Sequence, residues 1–328
     1  MIRLGVIYGG ISTEHDVSIM SAKSVIDNLD KEKYEIHEIY INEYGKWFEN
    51  DEEIYNLIWK LKELDVVFPV LHGLGGEDGT IQGMLELLKV PYVGCGVLAS
   101  SVGMDKVYTK IVFEKAGIPQ APYIYIKRIE DEYVIVNDNF EEQEFKIEKI
   151  TSKLKYPMFV KPSNSGSSVG VKKVINDQEL KMAIEYAGQY DTKILVEQGI
   201  NGKEVECAIL DGKEVTSSTV GEIMSAEDFY SFDAKYNIPE SKTVIPAQIT
   251  EAQIEEIRKL AVRAFKAIDG KGLSRVDFFV EKESNKIYIN EINTMPGFTK
   301  ISMYPKLFEA VGISYFELLD KLIESAME

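Results

Sequence analysis

The sequence predicts an α/β protein that continues into α+β, opening on an open, mainly parallel sheet and passing into strand-rich segments. Three observations carry this. The first 118 residues alternate short apolar runs with amphipathic helical stretches, the pattern of βαβ units. Gly117, Pro119 and Pro122 then interrupt it as a linker. Residues 123 to 174 read as β-rich, and a length of 328 residues exceeds the usual size of one core, so two or three domains are expected.

Taken in order, residues 2 to 8 form an apolar strand, followed by Gly9, Gly10 and Ser12 and a helix with Ile19, Ala22, Ile26 and Leu29 on one face. Ser12 or Thr13 is the expected cap, which sets Glu14 and Ser18 at the helix start beside anion-favouring backbone amides. Glu14 then has two readings, a partner of the helix dipole or a carboxylate that orients a substrate ammonium. Further strands at His37–Ile41, Val66–Leu71 and Pro91–Val93 and a helix at Ile81–Leu88 complete the open sheet, whose ligands should gather at the carboxyl ends of its strands. His72 and the glycine-rich loop from Gly73 to Gly79 follow such an end; the loop suits either an awkward turn or a backbone close to a ligand.

Gly94, Gly96 and Ala99 match the dinucleotide fingerprint in form only, because no second strand with an acidic ribose ligand follows. The Walker sequence is absent as well. Between Lys161 and Val171, KPSNSGSSVGV offers two glycines and four serines, with Lys161 and Lys172 bracketing the amides, which suits a loop closing over phosphates. A helix at Glu179–Ala187 leads to the strand Ile194–Val196, and Glu197 and Glu204 flank a turn at Asn201 and Gly202. Glu197 suits a ribose or a solvated turn equally. Residues 227 to 236, EDFYSFDAKY, read as a lid over a site, and the helix Ala252–Ile268 as plain core.

The run Gly272–Gly297 reads as a hairpin. Side chains two apart on a strand share a face, so Arg275 pairs with Asp277 and Glu291 with Asn293. With the turn at Glu283, Ser284 and Asn285, the register sets Asp277 opposite Glu291 and Arg275 opposite Asn293. Two opposed carboxylates repel unless a cation lies between them, and Asp, Glu and Asn form an oxygen-only set suited to Mg²⁺. A solvated outer face is the alternative. A final amphipathic helix spans Tyr315–Met327.

Composition excludes several classes. With 37 Lys and Arg against 54 Asp and Glu, the formal net charge of -17 argues against bulk attraction to nucleic acid or an anionic membrane and points to a small-molecule partner. No stretch is long enough to span a bilayer and none forms a signal peptide, and Cys95 and Cys207 fit no zinc or redox spacing, as suits a reducing cytoplasm.

In order and spacing, YGGISTEHDVS, HGLGGEDGTIQG, GCGVLASSVGMDK, VKPSNSGSSVGV, FYSFDAKY, SRVDFFV and NEINTMPGFT together resemble the D-alanine–D-alanine ligases of the ATP-grasp superfamily over essentially the whole chain. The resemblance implies a three-domain fold, divided at 1–118, 119–192 and 193–328 with a lid near 224–244, in which two antiparallel sheets enclose ATP. It implies Lys106, Lys161 and Lys235 at the ATP phosphates, Glu197 and Glu204 at adenosine, and Asp277, Glu291 and Asn293 holding two Mg²⁺, with Mn²⁺ as substitute. Glu14 and His72 would face the first D-alanine, with Ser167 and Tyr236 joining Glu14. Arg275 and Gly297 would stabilise an oxyanion, and Ser302 and Met303 would line the second subsite. A cytoplasmic homodimer making D-alanyl-D-alanine for peptidoglycan is implied. Phe232 departs from the Tyr of some members, and Met303 stands where depsipeptide or D-serine relatives often carry Arg. D-serine or D-lactate as second substrate and a non-catalytic ATP-binding regulator are the alternatives.

Overall fold

The computed structural model describes residues 1–224 and 242–328, in three sheets flanked by helices. The lid segment 227–236, with Phe232, Lys235 and Tyr236, lies outside the described residues.

The N-terminal sheet has five strands, in the order Glu52–Glu53, Trp47–Glu49, Tyr34–Ile41, Ile2–Gly9 and Val66–Pro69. The last three run parallel and the first two antiparallel, so the sheet is mixed, the two antiparallel strands being absent from the sequence reading. The strand expected at Pro91–Val93 shrinks to one parallel bridge between Tyr92 and Val67. Proline has no N–H to extend a ladder, and Gly94, at φ 115°, turns the chain away.

The first helix spans His15–Asn28 and neither Ser12 nor Thr13 caps it with a side chain; Glu14 holds the cap position. The Ser12 hydroxyl is used elsewhere, accepting the Glu14 N–H at 3.1 Å and donating to the His72 carbonyl at 2.6 Å. Ala22 and Leu29 are buried, while Ile19 and Ile26 are only partly so and Val17 and Val25 fill the core face instead.

The central sheet is antiparallel throughout, in the order Lys172–Val174, Met158–Pro162, Lys193–Gln198, Tyr123–Ile129, Glu132–Val136 and Glu142–Glu144. Helices Ile147–Thr151 and Asp177–Ala187 cover it and complete a core of its own, including Ile126, Ile150, Val160, Leu180 and Ile194. Lys193–Gln198 pairs on both sides within this sheet, so we propose the seam after Gln198 rather than at 192/193.

The C-terminal sheet is also antiparallel, with Lys242–Val244, Val215–Met224, Gly202–Asp211, Leu273–Glu281 and Ile287–Asn293 in that order. The helix Glu251–Ala267 packs on it through Ile257, Ala261 and Phe265, and opens with a capping box of Thr250 and Gln253. The hairpin register is the expected one, Arg275 opposite Asn293 and Asp277 opposite Glu291. A bulge follows at once: Phe278 faces Ile289, which leaves Asn290 as the extra residue.

The N-terminal and C-terminal sheets share one core. Leu4, Val6 and Phe68 meet Ala208, Leu210, Phe298 and the final helix Tyr315–Met327 through Leu318 and Leu322. Leu322 is only 1% exposed within it. Leu322→Ala should cost about 3 kcal/mol, read as a lower urea midpoint for the transition that includes the N-terminal sheet.

Candidate active site

A cleft of about 820 Å³ opens between the central and C-terminal sheets and reaches the N-terminal sheet's carboxyl edge. Its wall includes Glu14, His72, Lys106, Lys161, Ser167, Glu197, Glu204, Arg275, Glu291, Asn293, Gly297, Ser302 and Met303. Asp277 lies just behind, 3% exposed, against Arg275 and Asn293. Segments up to 289 residues apart thus converge, from Glu14 to Met303, although Lys235 and Tyr236 lie outside the described residues.

The serine-rich loop is built rather than slack. The Asn164 backbone N–H and side-chain amide donate to Asp191 at 2.8 and 2.9 Å, and the Ser165 hydroxyl donates to the Val169 carbonyl at 2.8 Å. Ser167 and Ser168 sit at φ 47° and 61°, a left-handed conformation that costs non-glycine residues about 1 kcal/mol each. The loop reaches the first helix, where the Ser167 hydroxyl donates to Glu14 Oε1. A Cβ at Gly166 would lie 2.6 Å, and one at Gly73 2.7 Å, from Glu14 Oε2, so glycine lets both loops close on this carboxylate.

Lys106 is set in place by its neighbour. Asp105 caps the helix Lys106–Lys115 by accepting the Val107 and Tyr108 N–H groups, takes a 2.5 Å hydrogen bond from Ser163, and pairs with Lys193. The Lys106 ammonium then donates to the Ser165 carbonyl at 2.6 Å and stands 4.0 Å from Glu291.

Deeper in, Glu197 bridges two lysines. Lys110 pairs with Oε1, and Lys161 donates to Oε2 at 2.8 Å. Burial opposes the Glu197 charge, but the two ammonium groups outweigh it and lower the carboxyl pKa. Burial also works against the Lys161 cation, which Glu197 more than offsets, whereas for Lys110 burial prevails and depresses the pKa. The bulged Asn290 turns to this group, with its Oδ1 3.4 Å from Lys161 Nζ.

On the hairpin, Arg275 grips Asp277 with both arms of its fork, at 2.8 and 2.7 Å, and lies 3.1 Å from Glu206. Desolvation disfavours the guanidinium, but Asp277 and Glu206 together raise its pKa well above the ordinary value. The Asn293 amide donates to Asp277 at 3.0 Å. Asp277, Glu291 and Asn293 together offer oxygen donors on one face, the donor chemistry of a Mg²⁺ site, with one qualification of the sequence argument: Arg275 already supplies positive charge to Asp277. A divalent ion would share Asp277 with the guanidinium.

His72 is 4% exposed and ties the first helix to the segment after Ile287–Asn293, Nε2 at 3.0 Å from Ser21 Oγ and Nδ1 at 3.2 Å from the Met295 carbonyl. Burial opposes its cation, yet Glu77, 3.7 Å away, with Glu14 beyond it, raises its pKa. Both ring nitrogens are therefore engaged within the protein. Ser302 is likewise occupied, accepting the Thr299 N–H at 3.0 Å, and a Cβ at Gly297 would come within 2.8 Å of its hydroxyl.

Sequence reasoning passed over Lys110, Glu206 and Asn290. Glu206 and Lys110 looked like ordinary charges on a strand and a helix, and only the burial of each side chain marks them. Helical spacing was the available signal for Lys110, four residues after Lys106 and so on the same face.

Family models describe both parts of the chain: "D-ala D-ala ligase N-terminus" matches residues 3–60 and 56–95, and "D-ala D-ala ligase C-terminus" matches residues 112–324. A D-alanine–D-alanine ligase of Acetivibrio thermocellus is 50% identical, with 99% of this chain and 96% of the relative aligned. One from Clostridium novyi is 45% identical over 99% and 98%. Among solved structures, the VanG D-Ala:D-Ser ligase of Enterococcus faecalis superposes with a TM-score of 0.86 at 36% identity, covering 99% of each chain. The D-alanine-D-alanine ligase of Coxiella burnetii gives 0.83 at 35%, covering 99% of this chain and 94% of its own. With both halves matched and relatives aligned nearly end to end, this chain belongs to the D-alanine–D-alanine ligase family and has its ATP-grasp fold.

Proposed function

We propose that this protein joins two D-alanine molecules into D-alanyl-D-alanine, using ATP, for peptidoglycan precursors. The observation that carries the proposal is the convergence, in one cleft between two antiparallel sheets, of a donor-rich loop, two lysines, an oxygen-only donor set and a half-buried arginine.

A carboxylate is a poor electrophile, so one oxygen of the first D-alanine attacks the γ-phosphorus of ATP, ADP departs, and an acyl phosphate forms. Lys106 and Lys161 suit the nucleotide phosphates, with Lys235 from the lid segment, and Glu197 and Glu204 suit adenosine. Asp277, Glu291 and Asn293 would hold Mg²⁺, which when bound neutralises charge on the transferring phosphoryl group. Glu14 would take the first D-alanine's ammonium, held in line by Ser167 and, in this proposal, Tyr236, while His72 buttresses the same wall.

The amine of the second D-alanine, seated by Ser302 and Met303, then attacks the acyl carbon. A tetrahedral oxyanion develops beside Arg275 and the Gly297 backbone, phosphate leaves with its bonding pair, and the amine loses a proton. Closure of the lid that this reading places near 224–244 would exclude the water that hydrolyses the acyl phosphate. The proposal includes a cytoplasmic homodimer; among the described residues no helix is long and apolar enough to cross a membrane.

The likeness to a D-Ala:D-Ser ligase keeps a second reading in view, in which D-serine is the second substrate. Product mass spectrometry with MgATP and competing D-alanine, D-serine and D-lactate should return D-alanyl-D-alanine as the main product; a mixed dipeptide in excess selects the second reading, and no product under saturating substrates refutes the ligase.

Arg275→Lys keeps a charge without the fork, and should lower turnover at least about 100-fold while nucleotide affinity holds; undiminished kcat would remove Arg275 from the bond-forming step. Glu291→Gln should raise the Mg²⁺ concentration for half-maximal activity about tenfold, and an unaltered metal titration would remove it from the donor set.

A further inference from the structure

Lys110 is 3% exposed, and its ammonium abuts a carboxylate that Lys161 already satisfies. A buried charge is retained at an energetic disadvantage, since an apolar side chain of similar volume is often neutral or better. The geometry gives Lys110 a use. It rises from the helix Lys106–Lys115 and holds Glu197 by Oε1, leaving Oε2 to Lys161, which lines the cleft wall with Glu197. Its ammonium lies 5.3 Å from the Tyr123 ring centroid and, among the described residues, makes no hydrogen bond of good geometry apart from the Glu197 ion pair. Two cations thus face one carboxylate.

We propose that Lys110 is a positioning residue for nucleotide binding: by neutralising Glu197 through its other oxygen, it leaves the Lys161 ammonium able to turn from that carboxylate to the nucleotide's phosphates. Without Lys110, Glu197 would have Lys161 as its sole close cation among the described residues, and Lys161 could reach a phosphate only by leaving a buried carboxylate unpaired. This inference rests on the nucleotide reading of the cleft given above.

The test compares adenosine with ADP, in EDTA, by titration calorimetry on the wild type, Lys110→Met, Glu197→Gln and the double variant. The ratio of adenosine Kd to ADP Kd isolates the phosphate contribution and cancels changes in the adenosine pocket. Lys110→Met should lower that ratio about tenfold, and adding Glu197→Gln, which removes the carboxylate that captures Lys161, should restore it to within about threefold of wild type. Should Lys110→Met fail to fold, the Glu197→Gln and double variants still decide: with no carboxylate to capture Lys161, their ratios should agree within about threefold. An unchanged ratio in Lys110→Met, including an equal loss of adenosine and ADP binding, overturns the inference and makes Lys110 a structural prop. A tenfold gap between Glu197→Gln and the double variant also overturns it. Wild-type protein that binds neither ligand would instead overturn the nucleotide reading itself.

Discussion

Buried carboxylates are the constraint from which the site follows. Glu197, Glu206 and Asp277 are each nearly inaccessible, and an isolated carboxylate in such a place would not stay ionised. Each therefore meets a cation from another position: Lys110 and Lys161 at Glu197, Arg275 at Asp277 and Glu206. The pairing is tight enough to raise the Arg275 pKa despite its burial. It also orients the groups, because a guanidinium fork fixes the plane of the carboxylate it grips. The result is a wall of charges held in register by one another.

That wall depends on how the sheets are joined. The central sheet keeps a core to itself, whereas the N-terminal and C-terminal sheets bury side chains together. The cleft lies along the seam between the unit with its own core and the rest. Contacts across it are polar and local, chiefly Ser167 to Glu14, Lys106 to Ser165 and Lys161 to Asn290. Polar contacts of this kind exchange with a ligand's hydrogen bonds at little net cost, so a cleft is better sited there than within a shared core.

Short periods carried much of this into the sequence. Two-residue alternation in RVDFFV and YINEIN was enough to derive the register of Asp277 against Glu291, because a strand's faces alternate whatever surrounds it. The glycines and serines of KPSNSGSSVGV marked a donor-rich loop for a similarly local reason, and the final helix came out at its observed limits, Tyr315–Met327. Local signals failed where distant partners decide. Pro91–Val93 has the composition of a strand but gains one bridge only, and Ser12, a good cap by type, is drawn to the His72 carbonyl instead.

By itself, then, the sequence determined the α/β then α+β order, the hairpin's facing residues, the donor-rich loop and, through its ordered motifs, the family. Tertiary structure alone decided which charges are buried and with whom. Glu206 and Lys110 are unremarkable in the chain because burial is set by elements dozens of residues away: the strands Leu273–Glu281 and Lys193–Gln198 bring Arg275 and Glu197 to them. The Asn290 bulge belongs to the same class, since one extra residue changes which side chain faces the cleft without changing the strand-like composition around it.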